Sequence, residues 1–174
     1  GVADGTIYNY FKNKDAILMG IIERLSEAEI RDMHVADAQQ LSIEELITNF
    51  VPQRMKEADD AYPLFKAIFP EMLTNEALVR QIYDEVYMPV FPIMEHYFQM
   101  LIEQGAVPGP SEGDGKQTQM APAVMVRMFA SPLLGIFFLR LMGDEHISDN
   151  WDLYTKAIVE FLLSVYQGRV KSEE

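Results

Sequence analysis

The sequence predicts an all-α fold, and three observations carry that expectation. Apolar residues recur at spacings of three and four along almost the whole chain, and nowhere do they alternate with polar ones in the manner of a half-buried strand. The one stretch unable to hold a helix is short: Gly105 to Gly115, GAVPGPSEGDG, packs four Gly and two Pro into eleven residues and reads as an exposed loop. Hydrophobic residues make up 49% of the 174, ample for a buried core.

Taken in order, Gly1 reads as a turn and a short helix runs from Ala3 or Asp4 to about Phe11, with Ile7 and Phe11 on its inner face. Its outer arc carries Thr6, Tyr8, Asn9 and Tyr10, hydroxyls and an amide that suit phosphate oxygens and base edges. Asn13 caps a long helix reaching about Ala38, with Ile17, Ile21, Leu25 and Ala28 along one face. Lys14 in its first turn opposes the helix dipole, which makes sense beside an anion. Ser42 and Glu45 form a capping box for the next helix, which carries Leu46, Ile47 and Phe50 and is kinked or divided at Pro52. Glu57, Asp59 and Asp60 mark a solvated turn, and a short apolar helix follows from Pro63 to about Phe69, closed by Pro70. After Asn75 a long helical segment extends to Gln104, with Leu78, Ile82, Val86 and Val90 on one spacing and Tyr83, Tyr87, Phe91 and Met94 on the next. Gly105 ends it. Beyond the loop come the apolar segment Ala123 to Gly143 and a last helix from Asn150 or Trp151 to Gly168, with Tyr154, Ile158, Phe161, Leu162 and Val165 facing inward.

The opening run, GVADGTIYNYFKNKDAIL, resembles the recognition helix and following helix of TetR-type (tetracycline-repressor-like) transcriptional regulators, through Gly1, Gly5, Thr6, Ile7, Tyr8, Tyr10, Phe11, Lys14 and Leu18. Ala3 stands where that family often has Ser, leaving the N-cap to Asp4. The resemblance implies a partial DNA-binding head over residues 1–35 and a helical ligand-binding and dimerisation domain over 36–174. It implies DNA contacts from Gly5, Thr6, Tyr8, Asn9, Tyr10 and Lys14. It also implies that the helices bracing the recognition helix lie upstream of Gly1 in the natural protein, since a recognition helix needs its preceding helix to hold its angle in the groove.

Charge and composition narrow the function classes. Fourteen basic residues against twenty-seven acidic ones give a net charge of −13, awkward for a nucleic-acid binder; the excess lies downstream of Lys14, in a body that would face away from DNA. The absence of cysteine removes disulfides, thiolate metal sites and thiol nucleophiles. His34, His96 and His146 lie far apart with no metal-ligand spacing, and no phosphate loop or nucleophile elbow occurs, so neither an enzyme nor a cofactor is expected. Ala123 to Gly143 is long enough to span a bilayer, but Arg127, Arg140 and Pro132 argue for a core or interface helix and a cytoplasmic protein.

A ligand site is expected where Pro89 and Pro92 interrupt the long segment, because each removes a backbone donor and opens space. Tyr83, Tyr87, Met88, Phe91, Met94 and Phe98 surround that point, joined by Phe65 and Met72 from before it and Met125 and Phe129 from after it. The two C-terminal helices are more apolar than one subunit needs and are expected to pair with those of a second copy as a four-helix bundle. Together these readings describe a homodimeric repressor that binds operator DNA and is released by an apolar small-molecule effector. The contrasting reading is an all-α ligand-binding or scaffolding module that does not bind DNA.

Overall fold

The computed structural model describes residues 20, 41–107 and 121–167; they form helices and short turns with no strand among them, so the all-α class holds. The six residues expected to touch DNA, Gly5, Thr6, Tyr8, Asn9, Tyr10 and Lys14, lie outside the described residues, as does most of the linking helix, of which Gly20 is described and helical.

Helix α1 (Ile43–Glu45) opens on the expected capping box: the Glu45 carboxylate accepts from the Ser42 backbone N–H at 2.9 Å and the Ser42 hydroxyl accepts from the Glu45 N–H at 3.3 Å. A π turn over Leu46–Phe50 carries the chain without a break into α2 (Val51–Met72). Helix α3 (Glu76–Ile82) is capped by the Asn75 side chain, and a second π turn over Tyr83–Tyr87 leads to α4 (Val90–Glu103). Then come α5 (Pro122–Leu141), the short α6 (Glu145–Asp149) and α7 (Trp151–Gln167). Gly105 and Gly143, with φ of 70° and 101°, end α4 and α5 in the left-handed conformation. In each case the last carbonyls are taken up by the two following N–H groups, Gly105 to Ile102 and Ala106 to Leu101, Gly143 to Arg140 and Asp144 to Leu139.

Several expected boundaries are not boundaries. Glu57, Asp59 and Asp60 form no turn but sit on α2, where Glu57 pairs with Arg54 at 2.8 Å, Asp60 with Lys56 at 3.0 Å and Asp59 with Arg140 of α5 at 2.7 Å. Pro63 and Pro70 lie inside that helix and do not delimit a separate one. Both rings are exposed, and the carbonyls one turn back that lose their partners belong to Asp59 and Lys66, also exposed residues, so the missing bonds fall on the solvent side of the helix. Pro52 does not divide the helix either; it stands at the start of α2, directly after the π turn. Helix α6 was not expected; Asp144 caps it by accepting from the Ile147 N–H at 3.0 Å. Val107, expected in an exposed loop, is buried in the core, and Phe161, expected inward, is 54% exposed.

The main core is built from Leu46 and Ile47 of the first π turn, Met55 of α2, Tyr97, Phe98 and Leu101 of α4, Met125 and Phe129 of α5, and Trp151, Ile158, Leu162 and Tyr166 of α7. A smaller cluster, Ile68 with Leu78, Ile82 and Val86, fastens α3 to the far half of α2. Between the two lies the cavity described next.

Candidate ligand cavity and apolar face

Three helical stripes meet around a cavity of about 280 Å³. From the first π turn into α2 the stripe is Phe50, Arg54, Ala58, Ala61 and Phe65, at successive spacings of three and four, with Glu57 beside it. Along α5 it is Val126, Phe129, Ala130, Leu133 and Phe137, and Val86, Tyr87, Val90, Phe91 and Met94 close the third side. Phe65 and Phe137 meet edge to face across it, ring centroids 5.2 Å apart at 86°.

The two π turns explain why the helices leave space here. Each ends two residues before a proline, Phe50 before Pro52 and Tyr87 before Pro89. In an ordinary helix the proline ring collides with the carbonyl four residues back, Thr48 or Glu85, the middle residue of each π turn. Widening the turn relieves that collision; the Met88 N–H accordingly reaches back five residues to the Tyr83 carbonyl at 2.9 Å. Phe50 from one such turn and Val86 and Tyr87 from the other project into the cavity wall.

Of the ten expected ligand residues the structure brings five together here: Phe65, Tyr87, Phe91, Met94 and Phe129. Phe98 and Met125 lie deeper, in the main core, where Phe98 meets the rings of Tyr97, Phe129 and Tyr166. Met72 packs on the smaller cluster and, with Tyr83, lines an open groove at the turn between α2 and α3. Met88 is exposed at the chain's surface. The residues not foreseen, above all Phe50, Arg54, Ala58, Ala61 and Phe137, continue stripes legible in the sequence once α2 is read through its prolines.

Arg54 and Glu57 are the charged members of the wall, joined through Arg54 Nη2, with the guanidinium 5.0 Å over the Phe50 ring. Outside the cavity Arg127 of α5 bonds Glu95 of α4 at 2.9 Å and lies 4.7 Å over the Phe91 ring, tying two of the three walls together; the hydrogen bond to Glu95 holds its pKa above the usual value. A second tie is Arg140, nearly buried, stacked 4.0 Å over Tyr62 and 4.4 Å over Trp151 and bonded to Asp59. Trp151 donates its indole N–H to the Met55 carbonyl at 3.2 Å. Tyr97 donates to the Leu41 carbonyl at 3.0 Å, and burial pushes its phenol pKa well up. No group of acidic or imidazole side chains spaced for a metal occurs among the described residues.

The outer side of α5 is a second feature. Val124, Met128, Phe138 and Met142 are exposed at helical spacing, with Ser131 and Gly135 between them, and Leu153 and Phe161 of α7 are exposed beside Ala157. By length and composition α5 is the helix among the described residues that qualifies to cross a membrane, and 17% of its most apolar window is buried. Its arginines, however, are engaged by carboxylates of α4 and α2. Comparison with known proteins gives no matching family model and no significant match to a curated protein or a solved structure.

Proposed function

We propose that this chain belongs to a TetR-type transcriptional repressor, its helical body binding an effector and dimerising, that leaves its operator when a small apolar molecule occupies the cavity. The observation that carries the reading is the apolar cavity itself, lined by rings from three helices and flanked by two widened turns, in a chain whose first eighteen residues follow a recognition-helix pattern. Among the described residues the wall's carboxylate, Glu57, is held by Arg54, which supports a binding role over chemistry. The exposed face of α5 and α7 suits a second copy better than lipid, because ion-paired arginines, Pro132 and Ser131 share the helix with its apolar residues. A two-fold dimer then presents two heads to two half-sites.

The test is anisotropy with the natural protein on DNA from upstream of its own gene. The expected result is selective binding to a palindromic site, weakening by about 10³-fold or more between roughly 50 and 200 mM salt. Binding that is neither salt-sensitive nor sequence-selective would leave the all-α ligand-binding module, the alternative that a net charge of −13 favours.

A further inference from the structure

We infer that the cavity selects a flat guest of two aromatic rings, over a saturated guest of the same size and over guests of one ring or three. This rests on the reading of the cavity as the effector site and deepens it by naming the class of molecule admitted. Volume sets the number of rings. A dry apolar cavity of about 150 Å³ holds benzene, so the space of about 280 Å³ suits two rings. The room exists because Ala61 of α2 and Ala130 of α5 line it where the neighbouring stripe residues, Phe65 and Phe129, are large.

The wall sets the kind of ring. Phe91, Phe129 and Phe137 are each braced by groups that do not themselves line the cavity. Tyr62 and Trp151 hold Phe137, each with ring centroids 6.4 Å away. Phe98 and Tyr166 hold Phe129, at 5.9 and 6.1 Å. Tyr83 meets Phe91 at 6.2 Å while the Arg127 guanidinium lies over it. Rings held in this way keep their angle, so the edges and faces they present are set before a guest enters. Edges carry partial positive charge and faces partial negative charge, and a planar aromatic guest answers both, whereas a saturated one answers neither. Hydrophobic burial alone gives no such preference, because a saturated guest of that size has at least as much apolar surface to remove from water.

The experiment is equilibrium dialysis of the 174-residue chain against benzene, naphthalene, trans-decalin and phenanthrene, with bound guest measured by chromatography. Each affinity is divided by the guest's water-to-hexadecane partition coefficient, which removes the general hydrophobic contribution. Naphthalene should then lead each of the other three by about fivefold or more. Phe137→Leu should reduce its lead over trans-decalin, and Ala61→Leu, which takes up room without removing a ring, should cost naphthalene more than benzene. Equal corrected affinities, a lead for any other guest, no binding of any guest, or a folded variant whose preferences match those of the unmodified chain would each overturn the inference. The comparison on the unmodified chain decides it even where a variant fails to fold. Naphthalene-selective binding without any effect on operator DNA would instead sink the repressor reading and leave this inference standing, and release of DNA by trans-decalin as readily as by naphthalene would do the reverse.

Discussion

At the scale of single residues, polar groups decide more here than the apolar ones around them. Glu45 is fully exposed, yet its carboxylate accepts from the Ser42 N–H and then from the Ser42 hydroxyl, and these bonds hold its pKa below the usual glutamate value. A depressed folded pKa means that the cap contributes above the unfolded glutamate range and is lost as pH falls through the folded value. An NMR titration should therefore place Glu45 below the other exposed glutamates, and Ser42→Gly, which removes the hydroxyl but keeps the backbone N–H, should bring it only part of the way back; a full return to the other glutamates would mean that the hydroxyl, not the backbone N–H, sets its pKa. Arg140 makes a sharper case. Its partner Asp59 is nearly half exposed, so the ion pair is worth little, whereas stacking between Tyr62 and Trp151 is sheltered. Arg140→Met should accordingly lower unfolding stability by about 2–4 kcal/mol, and Asp59→Asn by less than about 1 kcal/mol. Equal losses in denaturant melts would show that the ion pair, not the stacking, dominates.

At the scale of elements, proline is the residue that both reveals and conceals. Where local chemistry alone determines the outcome the sequence was readable: the Ser42 and Glu45 cap, the ending of α4 at Gly105 and the interruption before Pro89 need nothing beyond their own neighbours. Pro63 and Pro70 misled for a physical reason. An interior proline is costly against an isolated helix, but α2 is held from both ends, by Met55 in the main core and Ile68 in the smaller cluster, and that packing overrides the local preference. Placing a turn at Glu57, Asp59 and Asp60 then cut the stripe from Phe50 to Phe65 in two, which hid Arg54, Ala58 and Ala61 from the expected site. The exposed direction of Phe161 was equally hidden, because periodicity shows a helix's apolar residues without showing whether the same chain covers them. This account predicts that Pro63→Ala stabilises the protein by about 1–2 kcal/mol, since the helix regains a backbone bond and the exposed ring packs on nothing essential. A loss of stability in chemical denaturation would show instead that the proline shapes α2 for its contacts.

At the scale of the whole molecule, α5 joins the two proposed activities because it has two working faces. Val126, Phe129, Ala130, Leu133 and Phe137 line the cavity, while Val124, Met128, Ser131, Gly135 and Phe138 look outward, and Leu134 both lines the cavity and is 40% exposed. A guest that moves this helix by even a fraction of an ångström moves the surface proposed to carry the second copy, and through the dimer the spacing of its heads. Such a guest shifts the balance only as far as it binds the two arrangements unequally, and couplings of this kind run to about 1–3 kcal/mol, roughly 5- to 150-fold in operator affinity. Two substitutions separate the faces. Met128→Glu places charge on the outward face and should convert a dimer seen by sedimentation velocity into a monomer with its helicity intact; a wild-type chain monomeric at high concentration would show that something other than a second copy covers α5. Met94→Trp instead fills the cavity from α4, far from the outward face, and should weaken operator binding within that same range while the dimer persists. If Met94→Trp fills the cavity and leaves operator affinity unchanged, α5 does not carry the signal, however well its two faces are placed to do so.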